Sequence, residues 1–483
     1  MKKENRLKKI GFTAGCIFIL FLVVSCAARY NRYGLPQYGY EYQIPQQLDD
    51  GWQTSSLEEQ GVDSDKIKTM MVKILAGDID NIHGLLIVKN GKLVFEEYFD
   101  GFDRETKHHI FSASKSVTSI LIGIAMDQKK LSGVDTQVYE MLTGYKGTQW
   151  IDQRYDVKLK HVLTMTAGLD WSGWDYSGYD TRSPTRQMWV SSDWIKFVLD
   201  REVSDPPGSR YIYNNGLTIL LGEIVRKSTG QDADKFAENN LFAPLGITDY
   251  SWRKGPNGVL DTAGGLSLKP RDMAKIGYLY LREGRWNGRQ VVSQPWVSES
   301  TADQVNQDVT FGSGYGYQWW CGKSTINGQA IEMYYAAGHG GQYIFVCPAL
   351  NCVTVVTSKW IGNPLGEFRP QMLLVNHMLP AMLPPSSSEA IHPAPSILDT
   401  YAGEYAFPRW NLKATVRRQG DKLYIDLPKS SEKEVRPLAD NQFLYPLKGY
   451  GDIRLEFISN SSAEITQMVA YFGYANIVFK KKT

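Results

Sequence analysis

Strand-like runs in roughly the first 380 residues of this chain fall into two groups with a long helical stretch between them, and that spacing restricts the fold more than any single motif. The first group is a hairpin, Gly84-Leu-Leu-Ile-Val-Lys-Asn-Gly-Lys-Leu-Val-Phe, in which Asn90-Gly91 between two apolar runs is a two-residue turn signal. The second begins after Phe311, at Tyr315-Gly-Tyr-Gln-Trp-Trp, Gln342-Tyr-Ile-Phe-Val and Val353-Thr-Val-Val-Thr. Between them, helical segments alternate with loops rich in Gly, Pro and aromatic residues. This order predicts an α+β fold, one antiparallel sheet closed by both ends of the domain with a helical lobe inserted. Helical spacing over Val62 to Leu75 (Ile67, Met70, Met71, Ile74) predicts a helix capped by Asp63 or Ser64. A second helix is predicted from Ser112 to Leu131, ending near Gly133.

With 483 residues the chain can hold more than one domain. Residues 384–396, rich in Pro and Ser, read as a linker. The short alternating pieces beyond it (Lys413-Ala-Thr-Val, Lys422-Leu-Tyr-Ile-Asp-Leu, Asn476-Ile-Val-Phe) predict a separate antiparallel β-domain over 397–483. The main domain is expected over 53–383, preceded by a Tyr-, Gln- and Pro-rich tether at 27–52.

Residues 1–26 read as an export signal. Lys2 to Lys9 are basic, Ile10 to Val24 are apolar, and the run is too short for a comfortable bilayer span. It ends in Val23-Val24-Ser25-Cys26, which resembles the lipobox of bacterial lipoproteins. That resemblance implies acylation of Cys26, a membrane anchored by lipid and an extracytoplasmic, cell-envelope location; the other reading is an uncleaved signal anchor. This basic segment accounts for more than all of the formal net charge of +2, so the remainder is near neutral and offers no basic surface for nucleic acid. Beyond Cys26 stand Cys321, Cys347 and Cys352. The last two flank a short turn, where they form either a disulfide or two small core residues.

Ser-x-x-Lys occurs three times, at Ser112/Lys115, Ser251/Lys254 and Ser430/Lys433. Only Ser112 opens a long apolar helix, where the i, i+3 spacing puts both side chains on one face. A serine hydroxyl needs a base, and lysine serves only when neutral, which requires a desolvated or cation-rich pocket. Downstream stands Tyr213-Asn-Asn215-Gly, leading into the apolar helical run from Leu217. Later comes Ala336-Ala-Gly-His339-Gly340-Gly341-Gln342, a glycine-lined turn entering a strand.

These three ordered elements resemble the serine β-lactamase and penicillin-binding protein superfamily. They are most similar to its branch of class C β-lactamases, D-peptidases and related esterases. Leu163-Thr-Met-Thr-Ala-Gly-Leu, Ala263-Gly-Gly-Leu-Ser-Leu-Lys-Pro-Arg-Asp-Met and Tyr315-Gly-Tyr-Gln-Trp-Trp support the match, which covers about residues 53–380. The resemblance implies a β-lactamase/DD-peptidase-like fold and hydrolysis of an ester or amide through an acyl-enzyme. It implies Ser112 as nucleophile, with Lys115 and Tyr213 as a coupled acid–base pair. Asn215 would orient Lys115 and the substrate, and the backbone N–H groups of Ser112 and Gln342 would hold the oxyanion.

The chain departs from most lactamases at His339, where they carry a lysine that meets the substrate carboxylate. Weaker recognition of anionic β-lactams is therefore expected, and esters, D-amino-acid amides and small oligoamides gain weight. His339 could instead be a packed imidazole. The aromatic loop with Trp171, Trp174, Tyr176 and Tyr179 either walls the acyl pocket or packs over the core, and His108-His109 reads as core or solvated histidines. The motifs call for no cofactor and no metal, only a small-molecule or peptide substrate. The competing reading is a non-catalytic peptide- or peptidoglycan-binding module on the same fold.

Overall fold

In the computed structural model the two strand groups meet in one eight-stranded sheet. The structure describes residues 39–171, 181–305, 314–326, 329–360, 366–384, 395–408, 411–428, 430–439, 441–473 and 475–482. The strand order across the sheet is Gln53–Thr54, Lys92–Tyr98, Ile82–Lys89, Cys352–Ser358, Gln342–Cys347, Gln329–Gly338, Trp320–Ile326 and Gly314–Tyr315. Every neighbouring pair is antiparallel except the first. The seam joining early and late chain is Ile82–Lys89 against Cys352–Ser358, with Val88 opposite Val353 and Leu86 opposite Val355. Asn90 and Gly91 both have positive φ (52° and 80°), as a two-residue hairpin turn requires.

Both faces of this sheet are covered, which is why Ile82–Lys89 reads as a continuous apolar run rather than an alternating one. Leu86, Val88, Ile344 and Val355 face the helical lobe. Leu85, Ile87, Phe345 and Val356 face the opposite layer, whose apolar cluster continues into the C-terminal domain. That domain is a closed eight-stranded antiparallel barrel from Gly403–Phe407 to Ala475–Lys481, closed by Tyr405 opposite Lys481. A short helix, Pro395–Tyr401, precedes it, and most of the expected linker lies outside the described residues.

Several elements differ from expectation for identifiable reasons. The predicted helix at Ser112 is a 3₁₀ turn, Phe111–Ala113, followed by the α-helix Ser114–Asp127. It stops before Leu131 because Lys129 takes a left-handed φ of 58° and Lys130 N–H closes back onto Ala125 O at 2.8 Å. The other predicted helix is Ser64–Leu75, with Asp63 accepting from the Lys66 N–H. Tyr315-Gly-Tyr-Gln-Trp-Trp is not one strand. Gln318, at φ 64°, breaks it, and its buried amide bonds to Leu163 O (2.7 Å) and accepts from Thr218 Oγ1 (2.7 Å). Cys347 and Cys352 face each other across their strands, buried and with free thiols, so the core alternative is the one observed.

Residues 39–52 lie along the main domain: Tyr40 Oη donates to Glu97 (2.6 Å), and buried Trp52 donates to Arg271 O (3.2 Å). Arg271 grips Glu96 with two guanidinium nitrogens, at 2.8 and 2.5 Å, and reaches Asp50 at 2.8 Å. Its partner Glu96 is only 2% exposed, so removing the guanidinium strands a buried charge. Arg271→Leu is therefore expected to lower unfolding free energy by about 3–5 kcal/mol in urea titrations. Lys196→Ala, at an exposed i, i+4 pair with Asp200, should shift it by less than about 1 kcal/mol.

Candidate active site

Ser112 sits in the 3₁₀ turn that leads into the buried helix Ser114–Asp127. The residue before it, Phe111, has φ 47°, a strained conformation for an aromatic side chain. Two contacts hold the strain. Ser114 Oγ donates to Phe111 O at 2.6 Å and accepts from the Leu266 N–H at 3.3 Å. Leu266 belongs to a three-stranded sheet of His108–His109, Leu266–Leu268 and Ser251–Trp252 that fixes the entry to the turn.

Lys115, one turn on, is 1% exposed. Its Nζ lies 3.1 Å from Ser112 Oγ, 2.7 Å from Asn215 Oδ1 and 2.7 Å from Ala263 O, so each ammonium proton has an acceptor. Burial lowers its pKa to about 7, against the opposing pull of the Asp261 carboxylate, which Arg253 neutralises. An amine with that pKa is partly free base at neutral pH and can take a hydroxyl proton.

Tyr213 completes the cluster. Lys115 Nζ stands 4.9 Å from its ring centroid, and the ring stacks on Trp320 at 5.9 Å. Burial pushes its phenol well above the ordinary tyrosine value; the hydrogen bond with Ser112 opposes this and the Glu367 charge adds to it. The phenol is therefore a proton donor at neutral pH, not a base. Its loop is seated by Leu163-Thr-Met-Thr-Ala-Gly-Leu: Met165 O receives the Ile212 N–H (2.9 Å) and Thr166 O the Gly208 N–H (2.7 Å). Asn214 caps the helix Asn215–Thr229, which aims Asn215 at Lys115. The other end of the Asn215 amide donates to Thr185 Oγ1 at 3.4 Å, and Thr185 Oγ1 also accepts from the Trp171 indole. Trp171 is thus a core residue holding the cluster from behind; Trp174, Tyr176 and Tyr179 lie outside the described residues.

His339-Gly340-Gly341 forms the turn between Gln329–Gly338 and Gln342–Cys347. It lies against the Ser112 turn: a Cβ at Gly338 would come within 2.0 Å of Ile110 O, and the Phe111 ring meets His339 edge-on at 5.5 Å. Gly340 and Gly341 need their positive φ (75° and 88°), and their carbonyls both accept from Ser358 Oγ at 2.8 Å. The buried Gln342 amide brackets the Ser358 backbone, donating to its carbonyl (2.5 Å) and accepting from its N–H (3.3 Å). His339 Nδ1 is 2.7 Å from Glu367 Oε1, so a carboxylate stands beside the imidazole at this turn.

Sequence patterns thus locate Ser112, Lys115, Tyr213, Asn215 and His339, and the structure brings all five together. Glu367, Ser358 and Thr185 were not legible, because each joins through a tertiary contact with no local spacing to reveal it. The other two Ser-x-x-Lys matches carry no such cluster: Lys254 pairs with Asp234, and Ser430 bonds to Tyr445. His108 is buried and bonded to His83 at 3.0 Å, a core histidine as one reading held. Cys26 lies outside the described residues.

Both parts of the chain are similar to known proteins. Residues 387–481 match a domain of unknown function (DUF3471). A 6-aminohexanoate-dimer hydrolase of Paenarthrobacter ureafaciens is 26% identical over 57% of this chain and 72% of its own length. Penicillin-binding protein 4* of Bacillus subtilis is 22% identical over 46% of this chain, which spans about half (53%) of that relative. The octameric penicillin-binding protein homologue of Pyrococcus abyssi superposes with a TM-score of 0.53 at 19% identity, covering 86% of this chain and all of that one, a likeness of fold. The Beta-lactamase family model matches residues 58–371, well over half of the chain, which therefore belongs to the β-lactamase family within the serine hydrolase superfamily.

Proposed function

We propose that this protein hydrolyses an ester or amide through an acyl-enzyme on Ser112, with Lys115 as base and Tyr213 as acid. The observation that carries the reading is a buried, largely desolvated amine 3.1 Å from the serine oxygen. Neutral Lys115 accepts the Ser112 proton as Oγ attacks the substrate carbonyl carbon. The backbone N–H groups of Ser112 and Gln342 stabilise the oxyanion. Tyr213 gives its proton to the departing alcohol or amine and recovers one from Lys115. Water then attacks the acyl-serine, releasing the acid and restoring the serine hydroxyl.

Substrate preference follows from the third motif. His339 held against Glu367 offers a carboxylate where most lactamases offer a lysine, so neutral or cationic acyl groups suit it better than anionic β-lactams. The name of the Paenarthrobacter relative, an aminohexanoate-dimer hydrolase, is in keeping with an amide or ester substrate.

A fluorophosphonate probe tests the nucleophile. Wild type is expected to label at Ser112, Ser112→Ala not at all, and Lys115→Ala at least about a hundredfold more slowly. A folded wild type that does not label would favour the binding-module reading. The base assignment has its own measurement. Because Lys115 is lowered to about 7, its free-base fraction grows through that pH, so kcat/KM on a neutral ester should climb about tenfold per unit below 7 and level off above it. A profile still rising toward pH 10 would remove Lys115 as the base. Glu367→Gln should raise the anionic-to-neutral ratio of kcat/KM by about tenfold in paired ester assays, from loss of one nearby charge.

A further inference from the structure

The C-terminal barrel touches the main domain through a loop with unusual closeness. Gly449 and Gly451 both have positive φ, and a Cβ on them would come within 2.1 Å of Asp78 O and 2.8 Å of Asn376 Cβ. Between them Tyr450 is fully buried, donating from Oη to Asp80 O (2.8 Å) and accepting from the Asp80 N–H (3.2 Å). Asn376 Nδ2 clamps the same loop, donating to Tyr450 O (2.8 Å) and Asp452 O (3.2 Å).

What lies under Tyr450 leads to the third motif. The Arg369 guanidinium stands 5.0 Å from the Tyr450 ring centroid and 4.2 Å from that of Trp360, and its Nη1 pairs with Asp80 at 3.2 Å. Trp360 donates its backbone N–H to Gly340 O at 3.0 Å. Arg369 opens the helix Arg369–Leu373, and the 3₁₀ turn just before it carries Glu367, the partner of His339. The next residue, Pro370, leaves no room beside Gly341, where a Cβ would lie 2.9 Å from its ring. The segment bearing Glu367, Arg369 and Pro370 is thus held between the barrel loop and the His339-Gly340-Gly341 turn.

Resting on the hydrolase reading above, we infer that Tyr450 is a positioning residue for the reaction: through Arg369 and Trp360 the barrel braces the third motif against the nucleophile. A role is thereby assigned to the barrel. It sets the placement of Gly340 and His339, leaving the Ser112–Lys115 pair to the helical lobe.

The test uses the full chain and a neutral ester, with rates expressed per Ser112 site titrated by the fluorophosphonate, so that unfolded protein is not counted. Tyr450→Leu is expected to lower kcat per labelled site about tenfold, since small misplacements at a reacting centre are costly. The rising limb of its pH profile should stay near 7, because Lys115 is untouched. Arg369→Leu should do the same, and the double variant should be no worse than either, as two members of one brace require. Tyr450→Phe, which keeps the ring beneath Arg369, should recover most of the rate. A Tyr450→Leu protein with wild-type kcat per labelled site, whatever its melting temperature, overturns the proposal. If Tyr450→Leu does not fold, Arg369→Leu alone decides by the same two outcomes. A wild type that folds but does not label at Ser112 instead sinks the hydrolase reading, and the positioning role with it.

Discussion

A lysine amine sealed from water is the constraint around which this molecule is arranged. Its contacts come from the Ser112 turn, the Tyr213 ring, the helix beginning at Asn215 and Ala263. The helix Ser114–Asp127 is buried from its first residue through Ala125, so Lys115 has no route to solvent along its own element. Asn215, the first residue of a second helix, and Ala263 O supply the two short contacts that fix Nζ. Left alone, a buried ammonium would be costly. Here hydrogen bonds to Asn215 and Ala263 offset part of the cost, and the remainder appears as a lowered pKa.

Around the amine, work is divided between covalent neighbours and distant ones. Ser112 and Lys115 come from one turn, so their separation is a local matter of helix geometry. Tyr213 and His339 come from far along the chain, and each is placed by a glycine-permitted close approach: Gly168 against Asp205 O beneath the Tyr213 loop, Gly338 against Ile110 O beside the His339 turn. Phe111 absorbs the strain where these paths converge. A rigid frame thus positions groups whose own loops are irregular.

The outline of this arrangement was legible because it depends on local signals. Asn90-Gly91 announces its hairpin, Asp63 its helix, and the paired strand groups announce the sheet. Ser112, Lys115, Tyr213 and Asn215 stand out because their flanks are as distinctive as their spacing. The unread parts are those decided by tertiary contact. Gln318 looks like a strand residue until its amide is needed by Leu163 and Thr218. Glu367 is an ordinary surface-type residue until His339 lies beside it. Residues 39–52 look like a tether, yet Tyr40 and Trp52 are claimed by the main domain. Cys347 and Cys352 permitted a covalent link by position, and the fold uses them as small apolar spacers.

The seam between Ile82–Lys89 and Cys352–Ser358 has a consequence for how the molecule comes into being. Contacts between segments so distant in sequence are slow to form, because a long loop must close before any pairing rewards it. A chain emerging from the ribosome holds its serine and lysine early, but the strand that brings Gly338 to Ile110 arrives much later. The Ser112 turn is left without its opposing wall throughout that interval. The assembled cluster is therefore a property of the finished chain only, and a nascent copy carries the serine–lysine pair in an unfinished setting.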